Sequence, residues 1–391
     1  MIEGSAKLGS AKIARGSNTS PRLALVSSGL GNTNRGFEIS TARWFEALKS
    51  HTDLDVRLYC GGKYAGGKAL WNFPRNSIWT QPAHYLPFFS ERKRWEVTYG
   101  AEQISFWSAL NFELLAWQPD VLWVKDYPLV HFLSLSRKMF SLHYKIIFAN
   151  GGMKDPKSYQ DIDYIQQIQE SAFNHALSLG LSSERMEVLP NCIPSFPGLI
   201  DRSKIRDELG IECGDWAIIC IAAWNRHHKR IDYLLEEVAA ITDRHVKLIL
   251  CGTPEVGSES LKAMGKKLLG DRVQWLTVDN GRIGQILQAC DVFVLPTLDE
   301  FFGNSLIEAA LCGLPVVTHP HTAARYAINS DFWYTDLSQK GNLTARLLWL
   351  QENRDSLQDE IDALTERLKL RFDEEKLALR FRDMVLKVVQ S

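Results

Sequence analysis

Two glutamates, Glu300 and Glu308, stand eight positions apart in the stretch EFFGNSLIEAALCGLPVV at residues 300–317, on either side of a glycine turn that opens a helix. Residues 291–296 (DVFVLP) read as a buried strand, Gly303 permits a tight turn, and Asn304 or Ser305 can cap the helix that follows. Glu300 then lies on the loop and Glu308 on the helix. Unpaired N–H groups and the helix dipole make such a terminus attract anions, while a carboxylate accepts paired hydrogen bonds from neighbouring hydroxyls. Phosphate plus polyol is the implied ligand. A nucleotide-sugar has that shape, with a diphosphate for the helix start and a ribose and a hexose for the two glutamates.

The segment resembles the Glu-x7-Glu signature of the retaining glycosyltransferases of family 4, which have the GT-B fold. Members show an acidic residue before an aromatic-glycine pair, a hydrophobic helix carrying Glu-Ala, and then Gly-x-Pro-Val-Val, here with Gly313 and Pro315. The resemblance implies an α/β protein with two Rossmann-like domains whose parallel sheets face a central cleft. It also implies that Glu308 binds the donor ribose and Glu300 the hydroxyls of the donated sugar. Phe302, Gly303 and Asn304, with Ser305 beside them, offer main-chain N–H groups to the diphosphate and sugar.

A second chemical segment is AAWNRHHKRIDYLLEEV at residues 222–238, where a strand end opens into consecutive basic or titratable side chains before a helix. Cations there face the carboxyl edge of the sheet, where open α/β sheets bind ligands. The resemblance assigns Lys229 to the donor phosphates. The family's arginine sits five positions before that lysine, where this chain has Trp224, and Arg226 is the nearest substitute.

The first half opens with SSGLGNTNRGFEIS at residues 27–40, whose Gly29, Gly31 and Gly36 do not have the dinucleotide-binding spacing. A hydride-transfer enzyme is therefore disfavoured. By resemblance this loop closes over the donor diphosphate and acceptor, with Arg35 as an extra cation; a plain strand-to-helix turn is the other reading. Lys125 and Asp126 occupy the place of a histidine that family members carry near the reacting sugar. Asn150, Gly151 and Gly152 follow the next strand and either present backbone to a sugar or form a glycine turn.

The elements that must position these residues alternate between strand-like and helix-like runs in both halves, as parallel sheets covered by helices require. Strands are expected at residues 22–28, 55–60, 121–125 and 145–150 in the first half. The second half repeats the pattern at 216–223, 246–251, 273–276, 291–296 and 315–318. A helix is expected at 36–50. At 391 residues the chain exceeds the roughly 250–300 at which one core stops growing, so two domains are expected. We place a disordered tail at 1–20, a first, acceptor-side domain at 21–195 and a nucleotide-sugar domain at 196–371. The hinge falls near 191–210, where PNCIPSFPG carries three prolines. By resemblance a terminal helix at 372–391 crosses back to the first domain.

The balance of 45 basic against 46 acidic residues gives no global field for nucleic acid. Seven cysteines without a Cys-x-x-Cys pair read as reduced core residues of a cytoplasmic protein. No run has the length of a membrane span and the start lacks the apolar centre of a signal peptide. Within the irregular stretch 61–100, Trp71, Trp79, Tyr85, Phe88 and Phe89 lie near Arg92, Lys93, Arg94 and Trp95. Aromatics beside cations can dock sugars or dip into a lipid interface, so peripheral contact with the inner face of the membrane through residues 79–95 is one expectation, and simple packing on the first domain is the other. His319 and His321 lack partners at metal-ligand spacing.

The expected function is a retaining, metal-independent transfer of a hexosyl group from a UDP-, GDP- or ADP-linked sugar to an acceptor hydroxyl on a glycan, lipid or small molecule. No cofactor beyond that cosubstrate is expected. Two rivals stand beside it: a nucleotide-sugar epimerase on the same scaffold, and a non-catalytic sugar-nucleotide binder.

Overall fold

The computed structural model describes residues 20–391 apart from 34, 76, 78–79, 81–90, 153–154, 195, 197–199 and 256. Residues 1–19 of the expected tail, residues 195 and 197–199 of the expected hinge, and Trp79, Tyr85, Phe88 and Phe89 lie outside the described residues, as do the side chains of Arg92, Arg94 and Trp95.

Two sheets form, and every strand pair in them is parallel. The first contains β1 (Arg22–Ser27), β2 (Asp55–Cys60), β3 (Lys68–Ala69), β4 (Val121–Val124), β5 (Lys145–Asn150), β6 (Tyr164–Gln167) and β7 (Met186–Val188), in the order β3-β2-β1-β4-β5-β6-β7. The second contains β8 (Trp216–Ile221), β9 (Val246–Cys251), β10 (Val273–Leu276), β11 (Val292–Leu295) and β12 (Val316–Thr318), in the order β10-β9-β8-β11-β12. The chain is therefore an α/β protein of two doubly wound lobes. Both faces of each sheet are covered, which is why the central strands VLWV and VFVL are apolar and buried at every position. Alternation along β1 shows the two faces: Leu23 and Leu25 join one core, Ala24 and Val26 the other.

The strand order reverses at β1/β4 in the first sheet and at β8/β11 in the second. At such reversals the crossover helices diverge to opposite faces, and a crevice opens beyond the carboxyl ends of the strands. The loops after these four strands carry the glycine run, Lys125 and Asp126, the basic turn, and Glu300.

After β7 the chain passes into the second lobe, where helix Arg202–Glu208 packs on helix Asn280–Ala289. Helix Gln358–Arg371 covers helix Asn304–Leu311, and helix Glu374–Gln390 then returns to the first lobe, against helix Gly36–His51 and β4. Phe381 anchors that return, its ring 4.8 Å from Trp44 and 5.9 Å from Trp123. Arg380 donates to the Val188 carbonyl at 2.6 Å and Lys387 to the Tyr164 hydroxyl at 2.8 Å.

Three strands exceed the sequence expectation: β3, β6 and β7. β6 (YIQQ) hides two buried glutamines that the sheet satisfies internally, since Trp123 Nε1 donates to Gln166 Oε1 at 2.7 Å and Asn150 Nδ2 to Gln167 Oε1 at 2.8 Å. The stretch 61–100, expected to be irregular, ends in the start of a long helix, Glu91–Trp117. Among the described residues no helix is long and apolar enough to cross a membrane.

Candidate active site between the lobes

A cavity of about 400 Å³ lies between the two strand-order reversals. Its second-lobe wall is the loop after β11 and the start of helix Asn304–Leu311. Glu300, Phe302, Gly303, Asn304, Ser305 and Glu308 all line it. Gly303 takes the left-handed φ of 75° that turns the loop into the helix, and no side chain caps that terminus. This corrects the expectation that Asn304 or Ser305 does so: both already lie inside the helix, with the glycine at the cap position.

Lys229 is held up to the cavity from both sides of its loop. Asn225 Oδ1 accepts from the Lys229 amide at 2.8 Å and from that of His228 at 3.1 Å, while Asn225 Nδ2 donates to Glu255 Oε2 at 2.8 Å. Arg230, at a left-handed φ of 48°, donates to the carbonyls of Pro296 at 3.0 Å and Leu337 at 2.8 Å. Lys229 Nζ donates to Glu300 Oε2, so cation and carboxylate meet across the mouth of the β8/β11 crevice.

Arg226 stands outside the cavity lining. It turns to helix Ser258–Leu269, where its Nη2 donates to Ser260 Oγ at 3.4 Å, and its Nη1 lies 3.6 Å from Asp232. Trp224, in the place of the family's arginine, is buried edge-on against Trp275 at 5.0 Å.

From the first lobe, Arg35, Gly36, Phe37, Ile39 and Arg43 line the cavity. Positions 35, 39 and 43 follow one another at helical spacing, so one face of helix Gly36–His51 looks across the cleft. Lys125 reaches the same space from the end of β4. Its Nζ donates to Ser40 Oγ at 2.7 Å and Asn191 Oδ1 at 2.8 Å, and Asn191 Nδ2 donates on to Asn304 Oδ1 at 3.2 Å. Burial lowers the Lys125 ammonium to about 7, with Glu38 and Asp126 opposing.

Gly151 also lines the cavity, with Phe37 so close that a Cβ there would sit 2.8 Å from its ring. Gly29 and Gly31 do not line it. A Cβ at Gly29 would fall 2.3 Å from Glu38 Oε1, and one at Gly31 would fall 2.5 Å from the backbone of Gly62, so these glycines allow close packing inside the first lobe. Asn150 is likewise turned inward, donating to Tyr159 at 3.1 Å and accepting from the Gly152 amide at 3.2 Å.

Asp126 sits behind the cavity in a buried charge cluster. Tyr99 donates to Asp126 Oδ1 at 2.6 Å, and Arg75 forms a two-pronged contact with Glu102, with Nη2 to Oε1 at 2.6 Å and Nε to Oε2 at 3.0 Å. Arg75 also reaches Glu38 at 3.3 Å. Burial, then the Glu38 charge, raises Asp126 to about 6.

Sequence reasoning missed Arg43, whose Nη1 lies 2.7 Å from Glu308 Oε1 across the cleft. It also missed Ser40 and Asn191, whose partners come from distant loops, and Asn225. A further group, Gly252, Thr253, Thr277, Val278 and Ile283, lines the cavity beyond β9 and β10. Gly252 had a legible signal, a glycine directly after a strand: a Cβ there would meet the Ala222 carbonyl at 1.9 Å, so two loops touch at that point.

Residues 216–366 match the family described as glycosyl transferases group 1. The gpi3 subunit of phosphatidylinositol N-acetylglucosaminyltransferase from Schizosaccharomyces pombe is 27% identical over 148 residues, 37% of this chain and 31% of that protein. A D-inositol 3-phosphate glycosyltransferase of Mycobacterium sp. strain KMS is 26% identical over 170 residues, 39% of this chain and 38% of that protein. The chain thus spans about a third of the length of the curated relatives it matches. Its backbone is similar to that of HepE from Anabaena, crystallised with UDP and glucose, with a TM-score of 0.72 at 15% identity over 93% of this chain and 99% of that one. This chain has the GT-B fold, and its second lobe matches the glycosyl transferases group 1 over residues 216–366.

Proposed function

We propose that the chain transfers a glycosyl group from a nucleotide-sugar to an acceptor hydroxyl, with retention of configuration and without a metal. The observation that carries the reading is the convergence of Glu300, Glu308, Lys229 and the uncapped start of helix Asn304–Leu311 on one interlobe cavity. In this reading the diphosphate rests on the amides at 303–305, and Lys229 neutralises charge as the nucleoside diphosphate leaves. Glu300 holds hydroxyls of the donated sugar and Glu308 the ribose. The base lies toward Gly252, Thr253, Thr277, Val278 and Ile283.

The acceptor enters from the first lobe, past Arg35, Lys125 and Gly151. A leaving phosphate oxygen takes the acceptor proton on the same face, and the closed lobes exclude water. The hexose and UDP found with HepE make UDP-hexoses the first donors to test.

The experiment is donor turnover with UDP-, GDP- and ADP-sugars in the presence of EDTA, reading released nucleoside diphosphate and the anomeric configuration of the product by NMR. Release of the diphosphate with an axial donor giving an axial product is the expected result. Inversion, or loss of turnover in EDTA, overturns the corresponding part. A non-catalytic binder is the second reading, favoured by Arg226 facing helix Ser258–Leu269 and leaving Lys229 without the usual arginine; it gives binding heat with no release.

A further inference from the structure

The ion partner of the Glu308 carboxylate among the described residues comes from the other lobe. Arg43 Nη1 stands 2.7 Å from Glu308 Oε1, with the two side chains 14% and 6% exposed. The contact has the distance of an ion pair without the direction of a hydrogen bond, and Arg43 Nη1 makes no hydrogen bond elsewhere. Burying both charges costs desolvation, which a single close contact offsets only in part. A pair of that kind is poor glue for holding lobes together, yet it fixes a carboxylate well. It engages one oxygen of Glu308, and the guanidinium is itself held by a rigid helix whose Trp44 is locked against Phe381.

We infer that Arg43 is a positioning residue for nucleotide recognition: by holding Oε1 it sets the Glu308 carboxylate to read a ribose diol, so sugar selectivity in the nucleoside is completed by a side chain of the acceptor lobe. The inference deepens the proposed function and rests on Glu308 facing the ribose. Two hydroxyls are read by one carboxylate only when its plane is fixed, because a carboxylate free to rotate satisfies one hydroxyl as well as two. The residues that share the face of Glu308 on its own helix, Asn304, Ser305 and Cys312, carry no cation that could fix that plane. The Asn191–Asn304 bond at 3.2 Å ties the lobes one turn earlier on that helix and keeps Arg43 in register.

The test compares binding of a nucleoside diphosphate with its 2′-deoxy counterpart by titration calorimetry. UDP, GDP and ADP are titrated into the full chain, and the tightest is paired with dUDP, dGDP or dADP. The wild-type chain is expected to favour the ribose form by about tenfold or more, because the deoxy form leaves a carboxylate oxygen of Glu308 without the hydroxyl it would accept from. Arg43→Met is expected to bring the ratio within about threefold, Arg43→Lys to give an intermediate value, and Glu308→Gln to abolish the preference, with no further loss in the double variant.

Weaker binding of both nucleotides by Arg43→Met with the wild-type ratio intact would show that Arg43 merely braces the lobes, and would overturn the inference. An unchanged ratio in Glu308→Gln would overturn it equally. If Arg43→Met does not fold, Arg43→Lys decides by the same ratio. Should the wild-type chain bind none of the three diphosphates, the proposed function falls first and the inference with it. Binding with an unaltered ratio in the variants removes the inference alone.

Discussion

Lys229 Nζ donates to Glu300 Oε2 although the two residues come from loops after different strands, β8 and β11. The site therefore holds its cation and one of its carboxylates in mutual neutralisation, and a ligand that takes over either one changes the field felt by the other. Replacing Lys229 by Ala removes the cation that would meet the leaving diphosphate. In the proposed reaction kcat falls by about 10²–10³-fold, while nucleotide affinity falls less. Glu308→Ala does the reverse and weakens nucleotide binding most. Steady-state kinetics beside calorimetry separates the two, and equal losses of affinity and turnover in both variants would mean the site is misplaced.

Lys125 makes stability depend on pH with a definite sign. Burial holds its folded-state value at about 7, against the roughly 10.4 of an unfolded lysine. Between those values the unfolded chain keeps a proton that the folded chain has lost, so this residue makes stability rise with pH across the window. Below about pH 7 the folded chain bears the full cost of the buried charge. Lys125→Met is expected to raise Tm over wild type near pH 6 and to lose that advantage as pH climbs toward 10. Thermal melts across that range check it, and a constant difference would refute it. Asp126 acts lower: raised to about 6 by burial and by Glu38, it makes stability fall as pH rises from about 4 to about 6.

Arg75 is a buried cation among three buried carboxylates, Glu38, Glu102 and Asp126. Its side chain is 5% exposed, and those of Glu38 and Glu102 are 3% and 0%. Taking away one member of such a set strands the others. Arg75→Ala is expected to cost about 3–5 kcal/mol by urea unfolding, and Glu102→Gln added to it should recover part of the loss. A loss below 1 kcal/mol would mean that water reaches the cluster.

Phe381 ties the terminal helix to the first lobe through Trp44 and Trp123. Phe381→Ala leaves a cavity between two fully buried tryptophans and is expected to cost about 3–5 kcal/mol. Loss of protection in helix Glu374–Gln390 by hydrogen exchange, ahead of the sheet core, would show that this helix detaches first. Simultaneous exchange throughout would show instead that it unfolds with the first lobe as one unit.

Much of this protein is local in origin. Strand-forming runs bounded by turns mark β2, β5, β9 and β10 to the residue. β5 and β9 are the largely buried apolar stretches that a sheet covered on both faces needs, whereas β2 begins with exposed positions and β10 is half-buried throughout. The order Glu300, Gly303, Glu308 places one carboxylate on a loop and the other on a helix face, since glycine turn and helical pitch act over a few residues. β6 escaped notice for a physical reason: its glutamines read as surface until Trp123, Leu189 and Asn150 arrive to bond them.

What only the tertiary structure decided is where charges from distant loops meet. Arg43 reads as an ordinary surface residue of an amphipathic helix, and only closure of the two lobes brings it to Glu308. Arg226, adjacent in sequence to the chemistry, is swung to another helix by the path of its loop. Gly29 and Gly31 serve packing because Glu38 and Gly62 come to rest against them. Periodicity and turn chemistry specify elements through short-range sterics, whereas the direction of a long charged side chain is set by whichever desolvated partner the completed fold supplies.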